Sequence, residues 1–328
     1  SVDHSDAGTI PSSRWKQRRY DQKIADIVIV CWEASDRLCG KRLKIALPNM
    51  VESLERFGHL VLEEEARERL LTMSASTIDR ILAQTRVGET DHKARRPQAA
   101  SAIRRNVPIR TFADWNAPAP GYMEADLVSH SGPDASGSFV QTLTLTDIAT
   151  GWTECAALLT RDGAMVIAAL EKLHNQLPFP LRGLDTDNGS EFINELVIDY
   201  CKSKGIEQTR SRPYRKNDQA WVEQKNGSVV RRLVGYERFE GLEDVATLSR
   251  LYAASRLLVN HFQPSFKLAC KTRVGAKVIK RYHRPATPAQ RLGCLDTTTD
   301  AVRERLASIN LAVDPLRLIA EIREMQQV

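Results

Sequence analysis

Between Asp21 and Arg86 the apolar positions recur at helical spacing, with Ile24, Ile27, Val28 and Cys31 on one face of a first helix. Lys41 to Phe57 predicts a second helix, interrupted or kinked at Pro48, because a proline ring lacks the N–H and crowds the preceding turn. Glu63 to Met73 reads as a short amphipathic helix with acids in its first turn. In the following SASTIDRILAQTR, Ser76 is the expected cap, with Asp79 three residues on in a capping-box-like start. Ile78, Ile81 and Leu82 then face inward, leaving Arg80, Gln84 and Arg86 outward. Two short helices joined by a tight turn at Met73–Ser76 suit a helix-turn-helix, whose second helix enters a major groove. A small helical bundle with a polar surface fits the same pattern.

After a linker carrying Pro97, Pro108, Pro118 and Pro120 the period changes from helical to alternating. GYMEADLVS, SFVQTLTLTD and WTECAALLT have strand character and short connections, an antiparallel meander. An amphipathic helix from Ala164 to Leu177 presents Val166, Ala169, Leu170 and Leu173 on one side. LRGLDTD is a fourth strand, Glu191 to Lys204 a helix, GIEQTRS a fifth strand and Asp218 to Val234 a third helix. Three strands, then helix, strand, helix, strand, helix predict an α/β mixed five-stranded sheet flanked by helices. That order is similar to the ribonuclease-H-like fold, although other α/β domains can share it. Leu242 to His261 is expected to close the core, TPAQRL to open a short turn, and Thr298 to Gln327 to be helical with a break near Pro315. The expected organisation is a polar basic arm (1–20), a helical DNA-binding domain (21–86), a basic linker (87–117), a catalytic core (118–262) and a mostly helical basic C-terminal region (263–328).

Composition narrows the function. The 328 residues allow two or three domains, and 42% hydrophobic content can fill their cores. No apolar run approaches the roughly 20 residues of a membrane span and no secretory signal opens the chain, so a soluble cytoplasmic protein is expected, nucleoid-associated if bacterial. The first residue is Ser, which leaves the natural start open. Six scattered cysteines without a C-x-x-C pair, and seven dispersed histidines, argue against a disulfide framework or a zinc site. The net charge of +6 is modest, but its distribution is not uniform. His92–Ala113 holds six basic residues and no acid, and Lys267–Arg291 holds eight and no acid. Such segments are what a nucleic-acid backbone requires, a plain basic linker and tail being the alternative.

The stretch LDTDNGSEF places Asp185 and Asp187 ahead of an Asn-Gly pair. As a local signal it is a turn, since Asn and Gly tolerate positive φ and Asp bonds its own backbone. Thirty-five residues separate Asp187 from Glu223 on the third helix, and Asp126 lies in the first strand. In a ribonuclease-H-like sheet the first and fourth strands are neighbours, so these three carboxylates can converge. Phosphodiester transfer needs such a cluster, because two divalent ions about 3.5–4 Å apart can clamp the attacking and leaving oxygens. Three acids hold two Mg²⁺ ions if one bridges; Asp126 is assigned the bridge, with Asp187 and Glu223 taking one ion each.

Asp126, Asp187 and Glu223 with that gap, TDNGSEF, ATGWTECAAL and RPYRKNDQAWVEQKN resemble the DDE catalytic core of retroviral-type integrases and related bacterial insertion-sequence transposases. The resemblance covers roughly residues 118–240 and continues through NHFQPSFKL and TPAQRL. It implies metal-binding, catalytic roles for Asp126, Asp187 and Glu223, with Mg²⁺, Mn²⁺ substituting, as cofactor. Tyr214 and Gln219 match positions that meet the DNA end, and Asn226, three residues after Glu223, shares its helix face. Lys225, Arg231 and Arg232 add positive charge to that helix, a solvated face being the alternative; Arg80 and Arg86 belong to the possible DNA-reading helix. Gly227 is costly in a helix and is better explained by close approach of a DNA backbone. The retroviral zinc-binding module has no His/Cys counterpart here, and no small C-terminal β-barrel is visible. Asp185 is either turned away or a second-layer group, whereas Glu124, Asp147, Glu154 and Glu191 read as surface or strand-end acids and His130 as an exposed loop histidine. The expected protein is a DNA transposase or integrase acting on element ends and target DNA as a dimer or tetramer. A nuclease that cuts without joining, and a non-catalytic transposase-derived repressor, are the alternatives.

Overall fold

The computed structural model describes residues 20–83, 118–212, 219–274 and 277–327. Its centre is a five-stranded mixed sheet of β1 (Tyr122–Ser129), β2 (Gln141–Asp147), β3 (Thr153–Leu158), β4 (Gly183–Thr186) and β5 (Glu207–Arg210), in the order β3-β2-β1-β4-β5. The first three pair antiparallel, as the short connections require, while β4 lies parallel to both β1 and β5. All seven residues of β2 are buried, because both faces of the sheet are covered.

On one face Met123, Ala125, Leu143 and Leu145 pack against helices α5 (Gly163–Gln176) and α6 (Glu195–Lys204). The expected inward set Val166, Ala169, Leu170 and Leu173 is buried there. Helix α6 starts four residues later than the pattern suggested. Asn194 caps it by accepting from Val197 N–H at 3.0 Å, while its amide donates to the Ser190 and Glu191 carbonyls and holds the preceding residues in turns.

The other face carries a helix in three parts: α7 (Ala220–Lys225), a π-helical segment (Asn226–Val230) and α8 (Arg231–Val234). Behind it runs α9 (Gly241–Leu257), prolonged by a second π-helical segment, Leu258–Phe262. That segment brings Asn260 to the outer edge of β3, where its amide bonds both the N–H (3.0 Å) and the C=O (2.9 Å) of Thr153. A side chain thereby satisfies part of a sheet edge that would otherwise offer open pairing groups.

Four N-terminal helices, α1 (Gln22–Ala34), α2 (Gly40–Arg56), α3 (Glu64–Leu71) and α4 (Ala75–Ala83), join this second face. Their apolar faces form one cluster with α9, Val128, Val140, Val230 and the final helix. Ile24, Ile27, Val28, Cys31, Ile78 and Leu82 are buried as expected, and Ile81 is partly buried. Two local readings change. Helix α2 runs uninterrupted through Pro48, and the Lys44 carbonyl that loses its partner sits on an exposed turn. The start of α4 is capped by Ser74 rather than Ser76, its hydroxyl accepting from Thr77 N–H at 3.1 Å. Asp79 instead accepts the Gly40 N–H at 2.9 Å and so caps α2. Gly40 is required there, since a Cβ would lie 2.5 Å from the Ala75 carbonyl oxygen.

The C-terminal region is helical from Pro288 on, as expected; the basic segment ahead of it is extended. It forms an antiparallel hairpin of β6 (Leu268–Val274) and β7 (Lys277–Tyr282) before α10 (Pro288–Gly293), α11 (Asp300–Ala312) and α12 (Pro315–Met325). TPAQRL is a capped helix, Thr287 and Gln290 forming a reciprocal capping box, and the break at Pro315 falls where expected. Among the described residues no helix is long and apolar enough to cross a membrane.

His130 is buried, correcting its reading as an exposed loop histidine. Its Nε2 meets Thr142 Oγ1 at 2.7 Å, Thr142 in turn meets the Tyr252 hydroxyl at 2.6 Å, and Nδ1 is buried without a partner among the described residues. Desolvation, then the Arg231 charge, holds the imidazole down to about 4. The unfolded chain therefore binds a proton near pH 6.5 that the folded chain refuses until about pH 4, so stability falls as pH drops through that window. His130→Gln is expected to remove about 2 kcal/mol of the loss between pH 7 and pH 5. Urea midpoints across that range check it; an unchanged slope in the variant would show that His130 is not the group responsible.

Candidate active site

The register of the parallel pair sets the site. Glu124 pairs with Asp185 and Ala125 with Thr186, so the next position along each strand direction is Asp126 on β1 and Asp187 just past β4. Asp187 is half-buried, and its Oδ1 accepts the Gly189 N–H at 2.8 Å in an Asx turn. Neither Asn188 nor Gly189 has a positive φ, contrary to the usual reason for that pair. Asn188 is used as a tether instead: it donates to the Ser211 carbonyl at 2.9 Å and accepts from Arg210 at 2.9 Å, fixing the turn to the end of β5.

Glu223 reaches β1 through its helix. The Trp221 and Val222 N–H groups, in the first turn of α7, both donate to Glu124 Oε2, at 2.9 and 2.8 Å. One turn later Asn226 Nδ2 donates to Asp126 Oδ2 at 2.7 Å. Four helical residues rise about 6 Å. Two strand residues rise about 6.6 Å. The helix can therefore run alongside β1 with both tethers in step. Glu223 lies between them, three residues before Asn226 and on the same side of the helix.

Residues 117–216 match the Integrase core domain family. The chain is also 56% identical over 284 residues, 87% of its length and 81% of its relative's, to the Sinorhizobium fredii (strain NBRC 101917 / NGR234) protein named Uncharacterized protein y4rM. The chain belongs to the retroviral-integrase-like DDE transposase family. The family match includes Asp126 and Asp187 but stops seven residues before Glu223, so within this family member Glu223 is placed by the two tethers of α7.

Among the described residues, no group of three or more His, Cys, Asp or Glu side chains is placed so that it could hold a metal ion. Asp126, Asp187 and Glu223 thus share one region of the integrase-core fold without forming a closed cluster in this structure. Their donor chemistry, carboxylate oxygen throughout, is the kind that hard divalent cations select.

The remaining site expectations divide. Asn226 is buried and turned to Asp126. Gln219 is buried too, its Nε2 3.4 Å from the Ala125 carbonyl, so its amide faces the sheet and not an outer surface. Arg231 donates to the carbonyls of Ser129 (2.9 Å) and Gly235 (3.1 Å) and stacks over Tyr236, a bracing role. Lys225, two positions on from Glu223, is buried on a different side of the helix. Arg80 is exposed on α4; Arg86, Gln84 and Tyr214 lie outside the described residues. A Cβ on Gly227 would meet nothing within 4 Å, so no packing contact within the described chain requires that glycine.

Three of the acids read as surface or strand-end groups are buried, Asp147 at the end of β2 as that reading allowed. Glu124 is fully enclosed; desolvation raises its carboxyl well above the usual range, partly offset by the Val222 and Trp221 N–H groups. Asp147 accepts from Gly121 N–H, Thr150 N–H and the Thr150 hydroxyl, closing the β2–β3 turn. Glu154 joins Trp152 Nε1 (2.7 Å) to Arg256 (2.6 Å) on α9. Glu191 is half-buried, its carboxyl raised by desolvation and by the nearby Asp187 charge. Asp185, whose role the sequence leaves open, is buried beside Glu124 and accepts the Thr209 hydroxyl at 2.6 Å.

Proposed function

We propose that this protein is a DNA transposase that cuts its element ends by water attack and joins the resulting 3′-hydroxyls to target DNA. The observation that carries this reading is the pair of tethers holding the Glu223 helix along the strand of Asp126, whose parallel neighbour ends at Asp187. The three carboxylates would hold two Mg²⁺ ions, or Mn²⁺, supplying charge stabilisation to the phosphate oxygens in an in-line displacement. The chain's own contribution is orientation. Asn226 fixes the Asp126 carboxylate, the Gly189 N–H fixes Asp187, and the buried Glu124 fixes the helix of Glu223. The reading requires these carboxylates to close on one another when metal and DNA bind. It needs no covalent Ser or Tyr intermediate.

Helices α3 and α4, joined by a turn at Thr72–Ser74, fit a helix-turn-helix with Arg80 available to DNA. Pairing of two element ends calls for a dimer or tetramer on DNA. The test is product analysis with Mg²⁺ on the element's own ends carrying a labelled 3′-hydroxyl. Joined product is expected. Hydrolysis without joining would replace the reading with that of a nuclease, and neither product with Mg²⁺ or Mn²⁺ would leave a DNA-binding protein.

A further inference from the structure

A cavity of about 580 Å³ lies on another side of α7 from the carboxylates, between Trp221 and Lys225, the β2–β3 turn and the β6–β7 hairpin. Five cations line it, Lys41, Lys225, Lys267, Lys280 and Arg291, and its described lining contains no Asp or Glu. Asp147, whose charge Lys267 feels, has its oxygens committed to Gly121 and Thr150. Lys225 is 8% exposed, with its side chain on the cavity wall. Lys267 and Arg291 are held by neutral groups: the Ala149 carbonyl for the first, the Thr150 carbonyl and Ser265 for the second.

Cations held out of water without a counter-charge are costly. Lys225 is enclosed and Arg291 partly so, and desolvation brings Arg291 down to about 10. A bound anion would relieve both. The cavity also has aromatic walls. Trp221 lines it beside Phe266 and Tyr282, which are 37% and 51% exposed with ring centroids 5.9 Å apart. Cations with exposed rings are the combination that takes a phosphate and stacks a base. The volume falls within the roughly 300–1,000 Å³ of small-ligand sites.

We propose that this cavity binds a single nucleotide unit, its phosphate among Lys225, Lys267 and Arg291 and its base against the Phe266–Tyr282 pair. The unit is either a free nucleotide or an unpaired nucleotide of a DNA strand, and the site does not depend on the carboxylates being catalytic. The test reads Lys225 directly. The full chain is acetylated with a limiting amine reagent and Lys225 labelling is quantified by mass spectrometry, alone and with deoxyadenosine monophosphate, inorganic phosphate, a short single-stranded DNA or a blunt duplex.

Protection by the mononucleotide, well below the inorganic phosphate concentration needed, identifies a free-nucleotide site. Protection by the single strand but not by the mononucleotide identifies a DNA-borne one. Equal protection by inorganic phosphate, protection by the blunt duplex alone, or no protection overturns the proposal. Lys225→Met is expected to weaken binding of the protecting probe about tenfold, the loss of one charge-assisted hydrogen bond, with Tm unchanged or raised. If that variant does not fold, Lys280→Ala on the exposed hairpin is expected to weaken it in the same direction. Unchanged affinity in a folded variant counts against the site.

Discussion

Glu223→Gln is expected to lower element-end cleavage and strand transfer by about three orders of magnitude while leaving DNA affinity and folding close to wild type. Gln keeps the length and shape of the side chain and removes only the anionic oxygen. Metal-assisted stabilisation of transferring phosphoryl oxygens contributes several kcal/mol. At roughly 1.4 kcal/mol per factor of ten, losing one carboxylate from the set accounts for that fall. Folding is spared because Glu223 is only half-buried and the tethers of its helix belong to Glu124, Asp126 and Asn226. Single-turnover rates on the element's own ends, beside equilibrium binding of the same DNA, make the measurement. Cleavage within tenfold of wild type would remove Glu223 from the site. A parallel loss of DNA binding would mean that the helix had shifted and that the rate reports folding.

What was legible in the sequence was what hydrophobic period and spacing encode. The strand meander and the flanking helices follow from alternation and from the order of elements, and the nearness of Asp126 to Asp187 from the likeness of that order to a ribonuclease-H-like sheet. Lys225, read only as positive charge on the helix of Glu223, is buried on another side of it, two residues or about 200° round at 3.6 residues per turn. The misreadings have a common cause. Glu124, Glu154 and His130 looked exposed because acids and histidines usually are. Each is enclosed here by partners about a hundred residues away: Trp221 and Val222, Arg256, and Tyr252 through Thr142. No local window contains those pairings. The β6–β7 hairpin was hidden differently, since lysines and arginines interrupt its apolar alternation in LACKTRV and KVIKRY. The cap of α4 moved by two residues because Asp79 was already engaged by Gly40 of α2.

The least expected of these residues carries the second large effect: Glu124→Ala is expected to cost about 3 kcal/mol of stability and about a hundredfold in rate, whereas Glu124→Gln costs less than about 1 kcal/mol. Helix α7 has six residues and its own N-cap residue, Gln219, makes no capping bond. Its first-turn N–H groups are satisfied by a side chain from the sheet, Glu124 Oε2. Truncation to Ala leaves two enclosed donors unpaired, at about 1–3 kcal/mol each, and opens a void, offset in part by no longer burying an acid. It also frees the end of the helix nearest Glu223, and misplacing a reacting group by about 1 Å can cost a factor of about a hundred. Glutamine restores an acceptor oxygen at the same reach without a charge to desolvate. Glu124 Oε1 has no partner among the described residues, so the amide nitrogen displaces no existing bond, and its own enclosed N–H groups set the cost that Gln retains. Denaturation midpoints and single-turnover rates for the two variants separate the possibilities. If Gln is as damaging as Ala, the charge of Glu124 matters more than its cap, and the carboxylate itself belongs with Asp126, Asp187 and Glu223. If Ala matches wild type in both measurements, the tether is not what holds the helix of Glu223 in place.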